Sequence, residues 1–320
     1  MFFLIILIVS YFFIPSFSRK KVLIRIPPGV TSTQISYILK ENKIITNPYF
    51  FSLMVKILKY DTSLKAGVYE FTSPTFFSVV DKLLKGKVKT YRVTFPEGLP
   101  KWEVANLLAE KQIVDRQNFL QLVDNAEYFY QRFPWLDAKD SLEGYLFPDT
   151  YDFVLEENPV GVVGKFLTKF EQTILPLYHK MSRDNALSLH ELIILASIIE
   201  KEAVVSFERP MIAGVFYNRL NRGMRLRADP TVKYALGSFN VRLDTQMLIY
   251  PSPYNTYIYS GLPPGPICSP GVDSIKAALE PAQVNYLYFV SRKDGTHEFS
   301  TTYQEHLQAI EKYQLGYQGG

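Results

Sequence analysis

Two carboxylates close an apolar run in "LASIIEKEA", Leu195 to Ala203, where Glu200 and Glu202 flank Lys201. Burial penalises the charged form of a carboxyl and raises its pKa. A carboxyl tuned in this way can act as a general acid near neutral pH. Read as a helix, the segment gathers Leu192, Leu195, Ala196, Ile199 and Ala203 on one face, with Ile193, Ile194 and Ile198 filling most of the rest. A helix apolar nearly all round is buried. The two glutamates lie about 200° apart around it, so they flank the main apolar face from opposite sides. The competing reading is a helix end meeting water, or an ion pair with Lys201, Arg209 or Arg219. Spacing alone does not choose between the two glutamates.

Other polar groups sit among aromatics. "LEGYLFPDTY" embeds Glu143 and Asp149, Asp229-Pro230-Thr231 follows a basic run, and Asn255 is surrounded by Tyr254, Tyr257 and Tyr259. Aromatic faces could stack sugar rings while acids and amides hold hydroxyls. The alternative for each residue is local: Asp149 and Asp229 as turn formers or caps, the tyrosines as core.

The elements that must position these groups follow from pattern. The chain has 320 residues, a formal net charge of +4 and 15% aromatics. That mild charge, without a basic stripe, gives no reason to expect nucleic acid. Cys268 is the sole cysteine, which rules out an intramolecular disulfide and a thiolate metal site. His179, His190, His297 and His306 lack close metal-ligand spacing. No phosphate-binding glycine loop or serine elbow is present, so neither cofactor nor metal is expected. Met1 to Phe17 is an almost uncharged apolar run, about 25 Å long as a helix. It lacks a charged start and a small-residue cleavage site, and reads as an uncleaved membrane anchor over residues 1–18. Arg19, Lys20 and Lys21 follow it, on the side opposite to the positive-inside bias if the remainder is extracytoplasmic.

An internal repeat comes next. Pro27, Gly29, Leu39, Ile44 and Phe50 recur at a constant offset as Pro96, Gly98, Leu108, Ile113 and Phe119. Each copy reads as strand, Pro-x-Gly turn, helix and second helix. Thr31 with Gln34 signals a capping box, and Asn47-Pro48 a cap followed by proline at the first helical position. With a strand at "AGVYEF" and a helix at "TFFSVVDKLLKG" between the copies, residues 22–124 form one α+β module. Residues 125–142 read as a linker or cap, and residues 143–317 as a larger mixed α+β unit. In that unit, helices are expected over 160–180, 188–203 and 208–221, with a stop at Gly223. A shaped loop follows over 255–271, then a hairpin turning at Asp294-Gly295, then a helix near 304–313.

Taken together, Glu143–Tyr151, Ala196–Glu202, Val215–Val232, Tyr254–Ile267 and Tyr286–Phe299 resemble, in order and interval, the blocks of the YceG-like family of membrane-anchored endolytic murein transglycosylases. The resemblance runs from about Ile26 to the end. It implies an α+β fold: an N-terminal anchor, a LysM-like subdomain carrying the repeat, and a YceG-like catalytic domain. It implies a lytic transglycosylase that cuts MurNAc-GlcNAc bonds within peptidoglycan strands and leaves 1,6-anhydro-MurNAc ends, terminating nascent strands. By the same resemblance, Glu200 is the catalytic acid, and Glu143, Asp149, Asn218, Asp229, Tyr254 and Asn255 bind substrate. The chain departs from the family pattern at Ala203, where threonine is usual. The implied partners are glycan strands, the lipid bilayer and cell-wall synthases, with the catalytic domain outside the cytoplasmic membrane. Two other classes remain distinct: a water-using muramidase with Glu143, Asp149 or Asp229 as second carboxylate, and a non-catalytic glycan-binding scaffold.

Overall fold

The structure is a computed structural model that describes residues 21–72, 74–136, 141–181 and 187–315. The apolar run at Met1–Phe17 lies outside the described residues. Among those described, no helix is long and apolar enough to cross a membrane. The protein is mixed α+β and divides into two compact units: residues 1–92 with 152–156, and residues 93–151 with 157–320.

In the first unit, β1 (Val22–Ile26) pairs antiparallel with β2 (Gly67–Phe71), in a register that sets Ile24 against Tyr69. Among its described residues, three helices join the strands: α1 (Ser32–Glu41), α2 (Pro48–Ile57) and α3 (Phe76–Lys85). The caps are those the sequence predicts. Thr31 and Gln34 form the reciprocal capping box, and the Asn47 side chain accepts from the Phe50 N–H with Pro48 in the first turn. Ile26, Leu39, Phe51, Tyr69, Phe76 and Val79 are among its fully buried side chains.

The second copy of the repeat repeats the local structure in the other unit. After β3 (Tyr91–Thr94), α4 (Lys101–Glu110) and α5 (Arg116–Val123) follow the same sequence of turns. Gly29 and Gly98 share a left-handed conformation, φ +78° and +77°. Lys43 and Gln112 also match, at +58° and +55°. The division between units thus falls between the copies, inside the β3–β4 ribbon (β4, Thr150–Phe153). Residues 125–136, expected as a linker or cap, pack within the second unit: Phe129 and Phe133 are buried, and Trp135 stacks on Phe170.

The core of the second unit surrounds α7 (Leu189–Glu202), capped by a Ser188–Glu191 box. Every residue from Leu192 to Ile199 is buried. Around it lie α8 (Arg209–Asn221), α9 (Asp229–Ala235) and α10 (Val272–Leu279), and α6 (Pro159–Met181) packs on α5 and α10. The predicted hairpin is β5 (Tyr288–Ser291) with β6 (His297–Ser300), and α11 (Tyr303–Ile310) follows. The basic run before Asp229 is irregular, and Asp229 stands in the first turn of α9.

Candidate active site

The carboxylates ending α7 diverge, as the helical angle requires. Glu200 turns to the N-terminus of α10. Its Oε2 accepts from the Gly271 N–H at 3.0 Å and the Ser274 hydroxyl at 2.7 Å, and its Oε1 pairs with Arg209 at 3.4 Å. Arg209 is itself tied to Ser274 and Ser206. The predicted ion pair with Arg209 therefore exists, and it closes this flank: the Glu200 side chain is 8% exposed. The Pro-x-Gly turn of the second repeat lies here too. The Gly98 carbonyl accepts from Lys201, and a Cβ on Gly98 would touch Glu200. Glu97 occupies the space a side chain on Gly271 would need, which explains a glycine there. Burial, then the neighbouring Glu200 charge, raises the Glu97 pKa.

Glu202 faces the other way, into a cavity of about 540 Å³. Arg219, Arg227, Asp229, Tyr257, Tyr288 and His306 are among the residues that line it. No described residue hydrogen-bonds the Glu202 carboxyl. Burial, reinforced by the Asp229 charge and opposed by Arg219 and Lys233, pushes its pKa up to about 8. A carboxyl that keeps its proton at neutral pH and has no partner can give that proton to something else.

Of the other predicted residues, only Asp229 joins Glu202. It lines the cavity from the first turn of α9 and accepts from the Tyr257 hydroxyl. Glu143, expected at the substrate, caps a helix. At 1% exposure it accepts from the first N–H of α4, Lys101, and from the Tyr234 hydroxyl. Pro100 at the cap position cannot supply that acceptor. Burial raises the Glu143 pKa to about 7, against the opposing pull of its Lys101 hydrogen bond. Asn255 is fully buried; its amide donates to the Leu248 and Tyr250 carbonyls, and its oxygen accepts from Tyr257 N–H. These bonds shape the loop around it. Asn218 spends both amide hydrogens on the Val284 and Tyr286 carbonyls. Asp149 pairs with Lys169, which lowers its pKa, and Tyr254 packs on Tyr234. None of these three lines the Glu202 cavity.

The sequence reading missed the cavity's cations and its far wall. Arg219 donates to the Leu287 and Leu226 carbonyls. His297 is held by buried Glu208, through Nδ1 at 2.7 Å. Both arginines and His297 lie inside the quoted blocks, but nothing in their spacing marks a shared cavity. Among the described residues no group of His, Cys, Asp or Glu is arranged to hold a metal ion.

The YceG-like family profile matches residues 24–312, nearly the whole chain. The chain belongs to the YceG-like family. Among its relatives is the endolytic murein transglycosylase of Bacillus subtilis, 34% identical over 92% of this chain and 86% of that protein. The protein of the same name from Streptococcus pneumoniae is 31% identical over 86% of this chain, which spans 55% of that longer protein. The crystal structure of a yceG-like protein from Listeria monocytogenes superimposes with a TM-score of 0.64 at 36% identity, covering 91% of this chain and 99% of that one. In this YceG-like chain, then, the diverging glutamates sit on a fold shared with a solved relative.

Proposed function

We propose that this chain is a lytic transglycosylase that cuts MurNAc-GlcNAc bonds within peptidoglycan strands, with Glu202 as the proton carrier. The observation that carries the reading is Glu202 itself: no described residue hydrogen-bonds its carboxyl, it opens on a sugar-sized cavity, and burial raises its pKa to about 8. The names of the relatives supply the substrate class. This moves the acid from Glu200, which the resemblance suggested, to Glu202, because Glu200 is enclosed by its own donors.

In the reaction, Glu202 gives its proton to the glycosidic oxygen as the bond to C1 of the muramic sugar breaks. The bonding pair leaves with that oxygen, and C1 takes on oxocarbenium character. The Asp229 carboxylate in the same wall favours that positive charge. The sugar's own C6 oxygen then bonds to C1, and its proton returns to Glu202. One strand ends in a free hydroxyl and the other in a 1,6-anhydro sugar, and no water is consumed. The same pair, Glu202 and Asp229, also admits a second reading in which one activates water, giving a muramidase. Mass spectrometry of digested, uncrosslinked strands separates them. Transglycosylase ends are one water lighter than hydrolysed ends, and only hydrolysis takes up heavy oxygen from labelled water.

The apolar run at Met1–Phe17 completes the reading as a single-pass anchor in the cytoplasmic membrane, with the rest of the chain outside. There it would meet nascent strands beside cell-wall synthases and end their elongation. The repeat-bearing residues 22–124 act in this reading as a LysM-like module that holds glycan. Fractionation of the full chain, against a chain lacking residues 1–20, tests the anchor: soluble full-length protein contradicts it.

A further inference from the structure

The cavity beside Glu202 contains a cation that the reaction above does not use. Arg227 holds φ +49°. Few residues other than glycine adopt that left-handed conformation. Its neighbours enforce it. Leu226 and Ala228 are buried, the Leu226 carbonyl accepts from Arg219, and the Arg227 and Ala228 N–H groups donate to the Thr256 carbonyl and hydroxyl. Between two pinned residues, Arg227 is left exposed in the cavity wall. Its charge acts on Tyr257 and Arg219, both in that wall. Its guanidinium makes no hydrogen bond or ion pair with any described residue. Asp229, the anion in that wall, already accepts from Tyr257. Strain held in place by surrounding structure is common at functional positions, and a guanidinium fork with no partner among the described residues suits a carboxylate.

We propose that Arg227 recognises a carboxylate carried by the muramic sugar next to the scissile bond, and so selects which strands the enzyme cuts. The inference rests on the glycan-strand reading above. N-acetylated sugar rings are neutral, so they give a cation nothing to pair with. The muramic ring differs in its lactyl arm, which ends in a free carboxylate on a stripped strand or continues into a peptide bearing carboxylates of its own. Both sources present the same group to Arg227.

The test uses Glu202→Gln protein, which binds without cutting, titrated calorimetrically with three glycan oligomers. One carries stem peptide, one a free lactyl carboxylate, and one a lactyl amide with no carboxylate. A charge-assisted bidentate contact is worth roughly a tenfold to hundredfold preference, so at least one carboxylate-bearing oligomer should bind that much tighter than the amide. Whichever binds tighter identifies the source. Adding Arg227→Gln should erase the preference, and Arg227→Lys should keep part of it. Arg227→Gly relieves the left-handed backbone, so it should erase the preference with an unchanged or higher Tm, which excludes misfolding. Equal binding of all three oligomers, or a preference that survives Arg227→Gln, overturns the inference. Parallel digestion by the enzyme with Glu202 intact separates the two readings. Anhydro ends without carboxylate preference sink only the role of Arg227. A carboxylate preference without cleavage sinks only the enzymatic reading.

Discussion

The two flanks of α7 carry the same functional group to opposite ends. On one, Glu200 meets a backbone N–H, a hydroxyl and a guanidinium, and becomes part of the packing between α7, α8 and α10. On the other, Glu202 meets a cavity, no hydrogen-bond donor among the described residues, and the repulsion of Asp229. A carboxylate that is fully partnered stabilises structure, whereas one that burial leaves unpartnered keeps a proton it can lend. Identity and spacing do not separate these outcomes; the surroundings two residues apart do.

The contrast can be broken first on the structural flank. Glu200→Ala leaves Arg209, whose side chain is 10% exposed, without its anion. Uncompensated charges of this kind cost about 3–5 kcal/mol, so chemical denaturation should show a loss of that size. Glu200→Gln keeps acceptors for Gly271 and Ser274 and should cost less. If Glu200→Ala is as stable as the parent, the closed flank is not holding α7.

Glu143 sharpens the same point, because it is a second buried carboxyl that caps a helix instead of facing a cavity. Its folded pKa of about 7 lies above the ordinary value of 4.5. The unfolded chain therefore releases this proton first as pH rises. The stability it contributes is complete below about pH 4.5 and is lost progressively up to about pH 7, on the order of 3 kcal/mol in all. Glu143→Gln should flatten that slope in a pH series of unfolding curves. An unchanged slope would mean that Glu143 titrates as an ordinary surface acid.

The smallest effect concerns the repeat. Gly29 and Gly98 share one backbone conformation, yet Gly29 has open space around it and Gly98 lies against Glu200 and Lys201. Alanine at either position pays the left-handed penalty, about 1 kcal/mol. The Gly98 contacts are at ordinary van der Waals distance, so the two variants should lose similar stability. A much larger loss at Gly98 would show that its turn is strained against α7.

Much of this was legible in the sequence. Local signals have local causes: the capping boxes, the glycine turns, the recurrence of the repeat and the apolar α7 all follow from neighbours in the chain. The divergence of the two glutamates followed from helical geometry alone. What each glutamate meets did not, because Gly271, Ser274 and the hairpin residues arrive from distant segments. Glu143 shows the same limit. Its value as a cap depends on a proline 43 positions away at the start of α4, and an acid among aromatics looked instead like a sugar contact. Asn255 and Asn218 show the same ambiguity, since an amide bonded within its own loop and one that grips a ligand carry the same atoms.

Glu202 should also write its titration into catalysis. Cleavage that depends on its proton falls as pH rises through about 8. A rate still climbing through that range would remove Glu202 as the acid.

The central claim is tested most directly by digesting the same uncrosslinked strands with Glu200→Gln and Glu202→Gln, each first checked for a native unfolding transition. Glutamine keeps the shape of the carboxyl and removes the transferable proton. The account predicts that Glu202→Gln loses roughly 10²- to 10⁴-fold or more in rate, while Glu200→Gln still releases 1,6-anhydro ends. Cleavage that survives in Glu202→Gln and disappears in Glu200→Gln would contradict it and return the acid to the flank that faces α10.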